Sequence, residues 1–208
     1  MRKTTVSDHT SKPRRNNDLF QKRQTQIIKK ATKLFMKKGY AQTSMREISK
    51  ATGIDIRNLY YFIKSKEEIL FLAFEMLHKP EIEMFEKQGI MGIDNPLEQL
   101  RTVIRELIYA SYNYEEEILL LYRESKALPK RLLKIILARE NQFVSQIEEI
   151  LKKGMAGKVF DFQDASFAAN MIIFQLSLYS LRRWNMKKYS KEELCDLLEK
   201  HIMKTVMA

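Results

Sequence analysis

The chain is poor in the residues that build disulfide frameworks, tight turns and sheets. Its 208 residues include one cysteine, four prolines and six glycines. The single cysteine, Cys195, excludes an internal disulfide and any site with several cysteine ligands, which is typical of a reducing compartment. Few helix breakers, together with apolar residues that recur three and four positions apart, favour an all-α fold.

Long apolar runs and catalytic motifs are missing as well. No stretch approaches the roughly 18 residues of a membrane helix, and the N-terminus has no apolar signal core. We therefore expect a cytoplasmic protein without membrane contact. The three histidines are scattered, and no HExxH, GxSxG or phosphate-loop motif occurs, so we expect no enzyme, no bound metal and no cofactor.

Positive charge is concentrated in the first third of the chain. Residues 1–66 carry 17 Lys or Arg against 4 Asp or Glu, a net charge of +13, whereas residues 67–208 carry 20 against 22, a net charge of −2. A basic module attached to a near-neutral body is typical of nucleic-acid binding, because phosphates attract it. A lysine-rich tail that only aids solubility is the alternative.

Two short helices joined by a glycine turn are predicted at TSMREISKATGIDIRNLYYFIKSK, residues 43–66. Ser44, with Glu47 three residues later, forms a capping box that begins the first helix. Gly53 supplies the turn, and Asp55 caps the second helix. A helix, a short turn and a helix make a helix-turn-helix, the simplest reader of double-stranded DNA.

The remaining chain is divided by short turns into further helices. Residues 1–17 lack apolar periodicity, so we expect a flexible basic arm. Helices are predicted at 18–38 and at 66–87, and Asn95 with Pro96 marks the start of the next one. About nine helices are expected in all, the last five at Pro96–Asn113, Glu115–Lys126, Pro129–Lys153, Gln163–Asn185 and Lys191–Val206.

Three motifs together are far more specific than a lone helix-turn-helix. They are AxxLFxxxGY at 31–40, TSMREISKATGI at 43–54 and NLYYFIKSKEEIL at 58–70. On these motifs the chain resembles the TetR family of transcriptional regulators. The resemblance implies a three-helix DNA-binding domain at 18–65 and a larger helical ligand-binding and dimerisation domain at 66–208. Arg57, Phe62 and Ile63 depart from the family's commonest residues, which bears on the operator sequence and not on the family.

The resemblance also implies that the helix from Asp55 to Ile63 enters the major groove. Arg57 suits either a guanine edge or a phosphate, and Asn58 suits adenine. Ile56 fits either a thymine methyl group or the core, and Tyr60 fits either a phosphate or packing against the first helix. The residues expected at DNA are Thr43, Ser44, Arg46, Ile56, Arg57, Asn58, Tyr60, Tyr61, Lys64 and Lys66.

An effector pocket is implied in the C-terminal part. LYRESKALP at 121–129 and RRW at 182–184 are similar to stretches in acyl-CoA-responsive members of the family, and arginines with an indole suit phosphates and adenine. The alternative for 182–184 is a helix end that meets the carbonyl dipole. Aromatic residues such as Phe143 fit either a cavity or the core. The candidate ligand residues are Tyr109, Tyr112, Arg123, Phe174, Arg182, Arg183 and Trp184.

The last two predicted helices have apolar faces that suit either a four-helix dimer interface or the core. The expected function is a homodimeric repressor that binds an inverted-repeat operator and is released by a small hydrophobic effector such as an acyl-CoA. An architectural or ligand-independent DNA-binding protein is the alternative. The candidate interface residues are Ala165, Ala169, Ile172, Ile173, Leu176, Leu194, Leu197, Leu198 and Ile202.

Overall fold

A computed structural model describes residues 12–87 and 89–207 of the chain. Over these residues it has eleven α-helices and no strand, with one isolated bridge between Phe160 and Met207. The prediction of an all-α fold is confirmed. Residues 1–11 of the predicted basic arm lie outside the described residues. The helices are α1 (Lys12–Lys38), α2 (Met45–Thr52), α3 (Ile56–Phe62), α4 (Lys66–Lys87), α5 (Pro96–Asn113), α6 (Glu115–Glu124), α7 (Lys130–Ala156), α8 (Ala165–Leu176), α9 (Leu178–Leu181), α10 (Arg183–Met186) and α11 (Lys191–Val206).

The chain divides into two compact units between Leu70 and Phe71, inside α4. This division lies a few residues after the boundary expected at 65. We call residues up to Leu70 the N-terminal unit and residues from Phe71 the C-terminal unit.

The first helix begins earlier than the sequence pattern predicts. It starts at Lys12 and not near Asp18, so residues 12–17 of the expected arm are helical. Pro13 lies in the first turn, where its missing N–H costs no intrahelical hydrogen bond. Apolar periodicity did not reveal this turn because polar residues form it.

The helix predicted at 163–185 is divided at Ser177 and Arg182 into α8, α9 and α10. The backbone N–H and the hydroxyl of Ser177 both donate to the carbonyl oxygen of Ile173, each at 3.1 Å. A serine that bonds back to the preceding turn competes with the helical pattern and bends the chain. The other predicted helices are present with small shifts at their ends.

The C-terminal unit has one apolar core, to which α5, α7, α8 and α11 contribute most. Leu100 and Ile104 of α5, Ile147 of α7 and Ile202 of α11 are buried completely or almost completely. Cys195 of α11 is also buried in this core, and burial raises the pKa of its thiol. In the part of the chain that the structure describes, no helix is both long and apolar enough to span a bilayer.

The core is tightly packed at the end of α7, and a substitution there can test this packing. The chain turns back after α7, and the ring of Phe160 lies so close to Gly154 that a Cβ atom there would overlap it. We expect Gly154→Ala to lower the free energy of unfolding by about 1 to 3 kcal/mol, because the buried ring must shift. Chemical denaturation of the full chain measures this.

Gly157→Ala is the matched control, three residues further along. Its φ of −80° suits alanine, and an added Cβ would come no closer than 3.5 Å to a neighbouring atom. This variant should be neutral or more stable by up to about 1 kcal/mol. Equal destabilisation by both substitutions would contradict the packing described at Gly154.

Candidate nucleic-acid interface and effector cavity

The N-terminal unit is built on α1, which packs against both α2 and α3. Ile27, Ala31 and Phe35 form one buried face of α1 at helical spacing. Ile48 of α2 and Leu59 of α3 are completely buried as well. A short helix is marginal by itself, so this shared burial stabilises α2 and α3.

The turn between α2 and α3 has the caps that the sequence predicts. The Ser44 N–H donates to Glu47 Oε2 at 2.8 Å, and the Glu47 N–H donates to Ser44 Oγ at 3.3 Å. Gly53 has a φ of +71°, and Asp55 accepts a hydrogen bond from the Arg57 N–H at 2.9 Å. These bonds fix where α3 begins and therefore which of its residues face outward.

An ion pair joins α1 to the start of α2. Lys38 pairs with Glu47, and this contact, followed by the hydrogen bonds from Ser44, lowers the pKa of the Glu47 carboxyl to about 2. The carboxylate of the capping box is therefore ionised at neutral pH. An anion in the first turn of α2 is also favoured by the helix dipole.

The exposed face of α3 carries most of the residues that we expected at DNA. Arg57 and Tyr61, four positions apart, lie opposite the buried Leu59, and Asn58 and Tyr60 flank them. All four are exposed, and 73% of Tyr61 is accessible to solvent. Ile56 is half-buried, so its two predicted roles both remain compatible with the structure.

The end of α3 is held by α1. The Gln24 amide donates to the carbonyl oxygen of Phe62 at 3.1 Å, and the ring of Phe20 lies 5.1 Å from that of Phe62 and 5.7 Å from that of Tyr61. Tyr61 thus packs against two aromatic neighbours, since its ring also lies 5.2 Å from that of Phe62, while most of the residue stays exposed. Such a ring is restrained in position although it is largely exposed.

Two residues of the expected DNA set are occupied elsewhere. Only 2% of Thr43 is exposed, and its hydroxyl donates to the carbonyl oxygen of Gly39 at 2.7 Å. The Lys66 ammonium donates to the carbonyl oxygen of Tyr40 at 2.8 Å and lies 4.6 Å from the centre of its ring. Both side chains therefore brace the turn after α1 in the chain by itself, and their role as phosphate contacts stays a prediction. Sequence spacing gave no sign of these carbonyl partners.

Two other basic residues of the expected DNA-binding set are accessible for a contact with DNA. Arg46 and Lys64 are exposed, and neither has an ion pair among the described residues. The Ser44 hydroxyl is exposed but donates to Glu47 Oε2 at 2.8 Å. These three residues keep a position on the surface of the N-terminal unit.

A small cavity of about 60 Å³ lies in the C-terminal unit. It is smaller than the cavity of about 150 Å³ that holds a benzene molecule. A ligand with an acyl chain therefore requires its walls to move. Side chains from α4 to α8 line it: Leu77, Leu107, Ala110, Ser111, Ile118, Leu121, Tyr122, Glu140, Phe143, Ile173, Leu176 and Ser177.

Polar pairs join α4 to α7 beside this cavity. His78 Nε2 lies 3.3 Å from Glu140 Oε1, and Arg139 Nη2 lies 2.8 Å from Glu75 Oε2. Burial raises the pKa of the Glu75 carboxyl, an effect that Arg139 opposes. The sequence interpretation did not find this cluster, since the four residues come from two helices more than sixty positions apart. The described residues contain no group of three or more His, Cys, Asp or Glu suited to a metal ion.

None of the seven predicted ligand residues lines the cavity. Tyr112 stacks on Tyr179 with ring centres 3.8 Å apart, and Arg183 pairs with Glu115 at 3.0 Å. Of the aromatic residues weighed earlier, only Phe143 reaches the cavity. The sequence prediction relied on aromatic and cationic side chains. It therefore missed the small lining residues, Ala110, Ser111 and Ser177, whose size leaves the cavity open. The remaining predicted ligand residues are half-buried or exposed elsewhere on the unit: Tyr109, Arg123, Phe174, Arg182 and Trp184.

The outer face of α8 carries an exposed apolar stripe. Phe167, Met171 and Phe174 are 68%, 40% and 53% exposed and follow one helical face, and Leu197 of α11 is also exposed. We call the three residues of α8 the α8 stripe. Ile173 is half-buried. For the other proposed interface residues the core interpretation is correct, since all are buried: Ala165, Ala169, Ile172, Leu176, Leu194, Leu198 and Ile202.

Two family models match the chain. Bacterial regulatory proteins of the tetR family match residues 27–73, and the tetracyclin repressor-like C-terminal domain matches residues 94–206, which is more than half of the chain. The HTH-type transcriptional regulator HbdR of Aromatoleum sp. (strain CIB) is 25% identical over 202 residues, covering 91% of this chain and 86% of HbdR.

Solved structures share the fold. PfmR from Thermus thermophilus has a TM-score of 0.77 and 23% identity, over 86% of this chain and 97% of PfmR. AibR in complex with isovaleryl coenzyme A and operator DNA has a TM-score of 0.75 and 23% identity, over the same shares. At such identities the likeness supports the fold alone. With the matched family models and the capped helix-turn-helix, it follows that the chain belongs to the TetR family of transcriptional regulators.

Proposed function

We propose that this regulator is a homodimeric repressor that binds an inverted-repeat operator through α3 and is released by a small hydrophobic effector. The observation that carries the proposal is the exposed face of α3, which carries Arg57, Asn58, Tyr60 and Tyr61. The opposite face of this helix is buried. Because the partner is DNA, we assign the protein to the cytoplasm, without a catalytic role.

The size of α3 determines how much DNA one protomer reads. Its seven residues span roughly 10 Å, at about 1.5 Å per residue, which covers three or four base pairs. Arg57 and Asn58 suit base edges, whereas Ser44, Arg46, Tyr60, Tyr61 and Lys64 suit phosphates. Thr43 and Lys66 are left out because of their internal contacts. So short a site calls for two copies of the helix on one operator.

Two substitutions separate base reading from phosphate binding. Arg57→Ala should relax the preference at one base pair by about 1 to 3 kcal/mol, because a bidentate contact to guanine is lost. Lys64→Ala should weaken binding to every sequence and lower the salt slope by about one. Operator sequences selected from random oligonucleotides, titrated at several salt concentrations, measure both effects.

Lys204→Ala, at an exposed lysine of the C-terminal unit, is the control and should leave both quantities unchanged. Equal affinity of the wild type for random and selected DNA would reject the repressor and favour the architectural alternative. Identical binding profiles for the Arg57 and Lys64 variants would reject the proposed docking of α3.

We place the dimer contact at the α8 stripe. Exposed apolar residues in a continuous row are typical of an interaction surface, and a groove of about 590 Å³ runs beside Phe167 and Met171. The side chains of α8 that face inward already belong to the core, which leaves the stripe as the part available to a second copy. A twofold contact of this kind would join two chains, each with its own copy of α3.

The double substitution Phe167→Glu with Met171→Glu should convert a dimer into a monomer, because four charges would be buried in a twofold interface. Sedimentation velocity at micromolar concentration measures this. Leu137→Glu changes an exposed apolar residue of α7 outside the stripe and should leave the dimer intact. A wild-type chain that sediments as a monomer, or a dimer that survives the double substitution, would contradict the placement.

The effector that we favour is an acyl-CoA. The apolar cavity suits an acyl chain once its walls move, and Trp184 offers an indole that is 67% exposed, with the Arg182 guanidinium 5.0 Å from its ring. Arg183 is less suited to a phosphate because it pairs with Glu115. AibR, which shares the fold, was solved with isovaleryl coenzyme A. Leu77 of α4 lines the cavity, so a ligand that fills the cavity would contact α4.

Isovaleryl-CoA is the probe for this part of the proposal. It should raise the melting temperature of the full chain and weaken binding to the selected operator, since a ligand of the folded form stabilises it. Arg182→Ala should reduce its affinity about tenfold through the lost charge-assisted contact. Arg131→Ala, at an exposed arginine of α7, should have no effect. Free coenzyme A that acts as strongly as the thioester would reject an acyl effector.

A further inference from the structure

A groove of about 560 Å³ lies between α1 and α3 in the N-terminal unit. Two of its large hydrophobic side chains are mostly exposed, since 63% of Leu19 and 73% of Tyr61 are accessible to solvent. Exposed hydrophobic side chains that lie together are typical of an interaction surface. The residues that line the groove are Asn17, Leu19, Phe20, Arg23, Tyr61 and Phe62.

The walls of the groove are joined to each other. The ring of Phe20 lies 5.1 Å from that of Phe62 and 5.7 Å from that of Tyr61. The Gln24 amide also donates to the carbonyl oxygen of Phe62 at 3.1 Å. The groove is therefore formed by contacts within the chain, and a partner that enters it does not have to order its walls first.

The groove also carries a cation. Arg23 is exposed, its guanidinium donates to Gln26 Oε1 at 3.2 Å, and it has no ion pair among the described residues. Its surroundings are basic as well, since residues 17–38 carry seven Lys or Arg against one Asp. A guanidinium beside hydrophobic walls suits an anion whose neighbours are largely apolar, such as a phosphate between two deoxyribose rings.

The groove continues the exposed face of α3. Tyr61, in the last turn of α3, belongs both to this face and to the groove. The seven residues of α3 cover about three or four base pairs, whereas the phosphate backbone of a duplex continues beyond them. The backbone of DNA is therefore the occupant that the position and the charge of the groove both favour.

We propose that the groove is a second DNA contact of the N-terminal unit, made by α1. One phosphodiester of the operator, beyond the base pairs that α3 reads, lies in the groove with its phosphate at Arg23 and its deoxyribose against Leu19 and Tyr61. The inference rests on the proposed function, because it extends the contact of α3 to the same DNA. Arg23 is then a positioning residue, since a phosphate contact determines the register of a reading helix but carries no sequence information itself.

Neutralising phosphates one at a time tests the inference. Methylphosphonate linkages are placed at successive positions of the operator selected from random oligonucleotides, and each duplex is titrated with the full chain. In the wild type, we expect one neutralised phosphate in each half-site, outside the base pairs that α3 reads, to weaken binding about threefold to tenfold. In Arg23→Gln the same linkage should change the affinity less than about twofold, and the salt slope should fall by about one per protomer.

Lys29→Gln is the matched control. It removes one positive charge from an exposed position of α1 outside the groove, so the response to that phosphate should stay as in the wild type. The inference is overturned if every phosphate response survives in Arg23→Gln, or if Lys29→Gln abolishes the same response.

Two variants at Leu19 test the other wall of the groove. Leu19→Glu and Leu19→Gln have nearly the same size and differ by one charge, at a residue that is exposed in the structure. At low salt Leu19→Glu should bind the operator about threefold to tenfold more weakly than Leu19→Gln, because its carboxylate repels the phosphate. Equal binding by these two variants contradicts a phosphodiester in the groove.

These outcomes separate the inference from the proposed function. A wild-type chain that prefers no operator sequence would overturn both. A base preference that depends on Arg57, together with binding that is indifferent to Arg23 and to the charge at position 19, would overturn the inference alone.

Discussion

The proposed DNA-binding surface depends on the burial of one face of α3. A helix of seven residues has too few internal hydrogen bonds to persist in water by itself. Leu59 in the core and the Gln24 bond to the last turn supply what the helix lacks. The orientation of Arg57 and Tyr61 follows from this anchoring, because the buried side of a helix determines its exposed side. The residues proposed to contact DNA thus owe their position to α1, although the expected base readers lie on α3.

The C-terminal unit combines a dense core with a small cavity. Around Gly154 the packing leaves no space for a methyl group, whereas the cavity between α4 and α8 is lined partly by alanine and serine. Two polar pairs join α4 to α7, and one of their residues, Glu140, lines that cavity. Burying such groups is costly, as the raised pKa of Glu75 indicates.

The sequence predicted the local features of this protein well. The caps at Ser44 and Asp55 and the turn at Gly53 depend on residues within three positions of one another, so their pattern identifies them. The Lys66 contact to Tyr40 was beyond such reasoning, because a cation and a distant carbonyl leave no spacing rule. The cavity was hidden for a similar reason, since five helices contribute to it and its defining residues are small. Periodicity located the apolar side of α8 but gave no sign that Phe167 would face solvent.

The burial of Cys195 has a practical consequence. It is the only thiol in the chain, it lies in the core, and its raised pKa keeps it in the unreactive protonated form at neutral pH. Sulfhydryl reagents should therefore spare the native protein. A cysteine engineered at an exposed position such as Asn58 would take a spin label or fluorophore alone, with no background to remove first. Paired labels of this kind can report distances across an assembly directly in solution.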